Sequence, residues 1–305
     1  MKPPDFAYVR PDTLDEAVGT LVEQGPAAKV LAGGQSLMPA LNMRLLSPDV
    51  LVDINRVQGL GGIHMRDGFV ELGALVRQRE AELSQEVARQ CPLLPQALAV
   101  VAHRPIRSRG TVVGSLAHAD PAAELPAVLS LLDGTVTAQG PDGEREIPAQ
   151  EFFVGYFETS LRPGEIATRA RFRRLAAGEG TAFVEMTRRH GDFALCAVAA
   201  TVSGDVARVA LAGVDDRPRV FDVSGLVTGE PDRALDALAG AIDPQPDIHA
   251  STDFRRHLAR ELARRAVDEA ASRVRGDGAL PEAPGIALLG SDPRVDVRTD
   301  EERDA

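Results

Sequence analysis

The sequence predicts an α+β protein whose N-terminal part is α/β and whose C-terminal part is a domain of antiparallel strands and helices. Three observations support this. Strand-like and helix-like stretches alternate over residues 1–56, a pattern that favours parallel pairing. Apolar runs are joined at Asp67-Gly68 and again at Ser203-Gly204-Asp205, and both junctions read as hairpin turns. Late in the chain, apolar residues at helical spacing mark two amphipathic helices.

The elements follow in order. Thr13 and Glu16 bracket a capping box, so a helix is expected from there to Gly25. "AKVLAG" reads as a strand, "LMPALNMRL" as a helix closed by Ser47-Pro48, and "VLVDI" as the next strand; this is the first segment, residues 1–56. A second segment, 57–175, opens with the hairpin "GIHMRDGFVELGA" and continues with helical patterns over 77–89 and 93–103. In its next stretch, "RGTVVGSLAHADPAAELPAVLSLL", a helix is expected to start at Asp120-Pro121, because proline lacks the N–H that the first helical turn cannot use. The third segment, 178–275, holds the strands "FALCAVAATV" and "VARVALAGV". Two helices follow, one with Leu235, Leu238 and Ile242 on a face, the other with Phe254, Leu258, Leu262 and Val267. Residues 276–305, rich in Gly, Pro and Asp, are expected to form a disordered tail.

With 305 residues the chain exceeds what one hydrophobic core usually fills. Its 34 Lys and Arg stand against 45 Asp and Glu, a net charge of −11, and no basic run is interleaved with aromatics. Nucleic acid is therefore not an expected partner. No stretch is apolar enough to form a transmembrane segment, and "MKPPDFAYVRP" lacks the basic and apolar regions of a signal peptide, so a cytoplasmic location is expected. Cys91 and Cys196 lie far apart in apolar surroundings and read as buried reduced thiols.

Two stretches of small residues invite a ligand. "KVLAGGQS", residues 29–36, passes from a strand through Gly33 and Gly34 into a helix, where unpaired backbone N–H groups could meet a phosphate. A tight turn would have the same composition, and the stretch matches neither common nucleotide fingerprint. A second stretch gathers Gly110, Thr111, Gly114 and Ser115 before a helix, and two such loops suit the two phosphates of a pyrophosphate. Asp120 and Glu124, four apart on one expected helix face, could accept hydrogen bonds from the same ligand, although Asp120 could equally cap its helix. His118 and Asp120 lack a second ligand cluster, so no metal site is expected. No nucleophile elbow or Ser/His/Asp spacing is present and no catalytic residue is assigned. The chemistry is expected to reside in a cofactor.

"KVLAGGQSLMPALNMRLLSPDVLVDI", "IRSRGTVVGSLAHADPAAELPAVLSLLD" and "AFVEMTRRHGDFALCAVAA", in this order, resemble the FAD-binding medium subunit of molybdenum hydroxylases. The nearest type is the medium subunit of carbon monoxide dehydrogenase, similar also to the FAD domain of xanthine dehydrogenase. The resemblance implies a two-part FAD-binding domain of the vanillyl-alcohol-oxidase/PCMH type. It carries non-covalent FAD binding onto Lys29, Val30, Leu31, Ala32, Gly33, Gly34, Gln35 and Ser36, and onto Thr111, Val113, Gly114 and Ser115. Asp120 and Glu124 are implied to meet polar atoms of the flavin. Phe193 is implied beside the isoalloxazine, although a core aromatic on a strand would fit as well. Where the family commonly has Gly-Gly, this chain has Val113-Gly114. Either the backbone there is β and tolerates valine, or FAD binding is weakened.

The resemblance further implies an electron-transfer subunit of a molybdenum-containing complex. Its partners would be an iron–sulfur small subunit with a 2Fe-2S cluster and a large subunit with the molybdenum cofactor, in a dimer of heterotrimers, and an external acceptor would take the electrons. Two other readings are a free-standing flavin-dependent oxidoreductase of the same fold and a flavin-free scaffold subunit.

Overall fold

Three parallel strands organise the first fifty residues. In the computed structural model, which describes residues 2–275 and a strand at 286–288, β1 (Ala7–Val9), β2 (Ala28–Leu31) and β3 (Val50–Asp53) pair in the order β1-β3-β2. Helix α1 (Leu14–Gln24) starts at the expected box, with Thr13 Oγ1 accepting from Glu16 N and the Glu16 carboxylate returning a bond to Thr13 N. It stops at Gly25, whose φ of 57° no β-carbon-bearing residue adopts cheaply. Helix α2 (Leu37–Asn42) lies between β2 and β3.

A hairpin of β4 (Ile63–Arg66) and β5 (Phe69–Gly73) turns at Asp67 and Gly68, both at positive φ as a two-residue turn requires. Six short helices follow: α3 (Gln78–Leu83), α4 (Gln85–Gln90), α5 (Leu93–Leu98), α6 (Arg104–Arg107), α7 (Val112–His118) and α8 (Glu124–Leu131). The helical pattern over 77–89 is thus broken at Ser84, whose hydroxyl takes Val87 N and restarts the helix. The pattern over 93–103 gives a helix only to Leu98, and Ala102 beyond it is left-handed. After β6 (Thr135–Gly140) and β7 (Gly143–Pro148) come α9 (Ala149–Phe152), a small hairpin of β8 (Phe153–Gly155) and β9 (Glu158–Thr159), and β10 (Ile166–Arg173). The sheet order is β4-β5-β10-β6-β7, antiparallel throughout.

The last sheet contains β11 (Glu179–Thr187), β12 (Cys196–Ser203), β13 (Val206–Ala212) and β14 (Arg219–Asp222), all antiparallel. The expected turn at 203–205 joins β12 and β13, with Gly204 at φ 56°. Alternate residues of these strands serve two cores. Phe183, Ala197, Ala199 and Ala210 face the helices of the preceding region, whereas Val184, Val198, Ala200 and Val209 pack under α11 (Pro231–Ala241) and α12 (Thr252–Val274), which follow the short α10 (Gly225–Thr228). Leu235, Leu238, Leu258, Leu262 and Val267 are buried, as their spacing implies, each contributing about 1.5–3 kcal/mol of transfer free energy. Of the expected tail, residues 276–285 and 289–305 lie outside the described residues; 286–288 form β15 (Ile286–Leu288), which runs parallel beside Glu185–Thr187. Cys91 and Cys196 are free and buried, and burial pushes both thiols up to about 12.

Candidate cofactor site

The first stretch is a turn between an edge strand and a helix. Because β2 has only one strand neighbour, Lys29 is exposed and Val30 and Leu31 are half-buried rather than enclosed. Ala32 to Ser36 then turn the chain, with Gly34 left-handed at φ 73° and Gln35 Nε2 donating to Gly33 O at 3.2 Å. Gly34 O accepts from Met38 N. Among the described residues, no acceptor takes the backbone N–H groups of Gly33, Gly34, Gln35 or Ser36, and the Ser36 hydroxyl makes no capping bond. Four consecutive free donors on half-exposed backbone are chemically suited to an anion.

The second stretch is not an open loop. Thr111 caps α7, its Oγ1 accepting from Gly114 N at 3.0 Å, so Val113, Gly114 and Ser115 belong to the helix. Val112 N donates to Val76 O and Gln78 N to Gly110 O, which ties the stretch to the start of α3. The N–H groups of Thr111 and Val113 are left without protein acceptors among the described residues. Val113 therefore sits in neither a β nor a left-handed conformation: it is helical at negative φ, 2% exposed, with its side chain in the main core. Its bulk points away from the face where Gly114 and Ser115 are half-exposed.

Folding brings the two stretches into contact. A Cβ added to Gly33 would lie 2.6 Å from Arg109 O, 2.7 Å from Gly110 Cα and 2.9 Å from Thr111 N, distances only a glycine permits. Gly33 is thus needed for loop-to-loop packing. A polar brace fixes this contact. Arg77 Nη1 donates to Arg109 O and Arg77 Nη2 to Asn55 Oδ1, both at 2.6 Å, while Asn55 Nδ2 donates to Ala32 O at 2.9 Å. Asn55 is held in turn by Asp53, which also accepts from the Tyr8 hydroxyl. Burial alone would raise the Asp53 carboxyl, but these donors hold it below its ordinary value. Burial, with Arg109 nearby, lowers Arg77. Sequence reading missed Asp53, Asn55 and Arg77; the only signal was a polar pair at the end of the buried strand "VLVDI".

Asp120 and Glu124 are both buried, at 8% and 5% exposure, but not on one helix face. Helix α8 begins at Glu124, not at Asp120: the Asp120 carboxylate accepts from Ala122 N at 2.9 Å and so builds a turn before the helix. Burial raises Asp120 and pushes Glu124 up to about 7. A further carboxyl, Glu185 on β11, is 2% exposed, and burial together with Glu124 pushes it up to about 9; its Oε2 has no partner among the described residues. A carboxyl that stays protonated near neutral pH can donate as well as accept, the versatility a polar ligand edge requires. His118, lowered by burial, meets the Phe157 ring at a 46° tilt with 5.1 Å between centroids. Phe193 is 64% exposed in the turn before β12, so it is not a core aromatic on a strand. That turn lies against the start of α6, where His190 packs edge-on against His103 at 5.4 Å.

A dinucleotide fits these groups chemically: free backbone donors for its phosphates lie where the two glycine stretches touch, and the chain also holds buried carboxyls that can keep a proton. No group of residues suited to a metal ion is found among the described residues, and no described helix is long and apolar enough to cross a membrane.

Comparison with known proteins agrees with this chemistry. Residues 4–172 match the FAD binding domain in molybdopterin dehydrogenase, and 181–270 match the CO dehydrogenase flavoprotein C-terminal domain. The chain is 40% identical to the alpha subunit of the 6-hydroxypseudooxynicotine dehydrogenase complex of Paenarthrobacter nicotinovorans, over 90% of this chain and 97% of that one. It is 32% identical to the carbon monoxide dehydrogenase medium chain of Hydrogenophaga pseudoflava, over 90% and 99%. Among solved structures, reconstituted CO dehydrogenase from Oligotropha carboxidovorans superposes with a TM-score of 0.86 at 30% identity, covering 90% of this chain and 100% of that one. Quinoline 2-oxidoreductase from Pseudomonas putida 86 gives 0.82 at 35% identity, covering 90% and 99%. This chain belongs to the family of FAD-binding medium subunits of molybdenum hydroxylases, and is an oxidoreductase flavoprotein subunit of the carbon monoxide dehydrogenase medium-chain type.

Proposed function

We propose that the chain binds one FAD non-covalently and relays electrons from an iron–sulfur partner subunit to an external acceptor. The carrying observation is the pair of touching glycine stretches, with backbone N–H groups at Gly33, Gly34, Gln35, Ser36, Thr111 and Val113 that are unpaired among the described residues. Those donors would hold the pyrophosphate, with Lys29 to Ala32, Gly114 and Ser115 lining its approach. Asp120 and Glu124 would meet polar atoms of the flavin, and Phe193 would lie beside its ring. Bound FAD supplies the redox chemistry; this chain binds it, orients it and keeps one edge accessible. No His or Cys stands in either stretch to form a covalent link.

Substrate chemistry would belong to a large subunit with the molybdenum cofactor, linked through a small subunit with a 2Fe-2S cluster, in a cytoplasmic dimer of heterotrimers. Two buried cysteines are too few for such a cluster, which normally takes four thiolates. Supporting this, relatives are named as medium chains or complex subunits.

Isolation of the complex tests the reading. The chain alone should hold flavin, released completely by acid precipitation, but neither iron nor molybdenum, and its flavin should be reduced by the organic substrate only when both partner subunits are present. Substrate-driven bleaching of the isolated chain, at a rate the partners do not change, would instead identify a free-standing flavin enzyme.

A further inference from the structure

We infer that the segments 103–104 and 188–190 form a docking surface for an acidic one-electron carrier protein, which removes electrons from this subunit. The inference rests on the flavin-binding reading above and specifies the class of acceptor. His103 caps α6 and Arg104 is its first residue, while Arg188, Arg189 and His190 follow β11; all five are exposed. The two segments are joined by the edge-on contact of His103 with His190, and Gly191 comes so close that a Cβ there would lie 2.5 Å from His103 Cε1.

Charge makes this surface unusual. The chain carries −11 overall, and most of its arginines outside this surface have a carboxylate partner. Among the described residues, Arg104 and Arg189 form no ion pair, and the partner of Arg188 is the His249 ring at 2.8 Å. Segment 103–109 contains no carboxylate, and Asp192 is the one carboxylate in 188–193. Unpaired cations held together on an acidic protein raise the local concentration of an anionic partner and speed its encounter by roughly 10–1,000-fold. Phe193, 64% exposed, adds an apolar contact two residues from Gly191.

A protein suits the surface better than a free dinucleotide. Small-molecule sites are concave and bury about 70–90% of their ligand, whereas every cation here is exposed. Each docking event transfers one electron. Two oxidised carriers are therefore reduced for every two-electron reduction of the subunit, and the two protons held by the reduced flavin return to solvent.

The test uses the assembled complex, reduced stoichiometrically with dithionite and mixed in a stopped-flow instrument with plastocyanin, an acidic copper protein that serves as one-electron probe. The double variant R104E/R189E should keep its subunits and flavin and reduce benzoquinone, a small neutral acceptor, at the original rate. Its second-order rate with plastocyanin at low salt should fall at least ~10-fold. Raising NaCl to where the Debye length is about 3 Å, near 1 M, should slow the original complex to the rate of the variant. An unchanged plastocyanin rate would overturn the inference, and so would loss of the small subunit from the variant, since the surface would then hold a resident partner. Should the chain contain no flavin, the parent reading fails; binding of fluorescent plastocyanin to the full chain, abolished or not by R104E/R189E, still decides the docking surface.

Discussion

The two glycine stretches look alike in sequence but differ in the folded chain. Ala32–Ser36 is a half-exposed turn with four adjacent N–H groups unpaired among the described residues, shaped by one left-handed glycine and one glycine pressed against a neighbouring backbone. Thr111–Ser115 is the first turn of a helix rooted in the core, with two N–H groups free and a buried valine inside it. Both stretches need a glycine at a close approach, Gly33 against the Arg109–Thr111 backbone and Gly114 against the Thr111 hydroxyl, but only the second also needs a buried side chain. Each supplies donors that the other lacks, and Asn55 and Arg77 keep the two in register.

The largest expected effect comes from forcing a side chain between them. Gly33→Val would drive carbon into Arg109 O and Gly110 Cα, separating the stretches, and the purified chain should be colourless and melt earlier than the original. Normal flavin content in this variant would mean that the contact does not govern binding. Val113→Gly probes the need for the buried side chain. It removes a buried side chain and places glycine in a helix, costing about 3 kcal/mol in denaturant titration, while flavin content per folded chain stays unchanged because the Val113 N–H remains.

A smaller effect is expected with pH. The folded-state carboxyl of Glu185 is raised to about 9 and that of Glu124 to about 7, both above the ordinary value of 4.5. The folded protein therefore holds protons the unfolded chain has lost, and stability falls as pH rises from about 4.5 towards 9. Glu185→Gln cannot ionise, so its melting temperature should decline less between pH 5 and pH 9; identical slopes would show that Glu185 is already solvated. The smallest effect belongs to Phe193→Ala. The ring is exposed, so stability should change by no more than about 0.5 kcal/mol. A changed flavin absorption spectrum in that variant would place the ring beside the isoalloxazine, and an identical spectrum would remove it from there.

Much of the fold was legible because its signals are local. The Thr13–Glu16 box, the turns at Asp67-Gly68 and Gly204 and the spacing of Leu258 and Leu262 depend on backbone preferences and periodicity within a few residues. Helix α8 was misplaced for an equally local reason: Asp120 and Pro121 carry a helix-start signature, but the Asp120 carboxylate bonds Ala122 N and delays the helix to Glu124.

The sequence by itself determined which residues could form a phosphate-binding turn, because glycines and small polar residues are needed wherever backbone donors must be approached closely. Only the tertiary structure decided that Gly33 meets Gly110, that Arg77 reaches Asn55 across 22 positions, and that Glu185 lies buried near Glu124. Such contacts join distant segments, and their energies come from close packing and from desolvation of charge, neither of which exists until the strands and helices have come together.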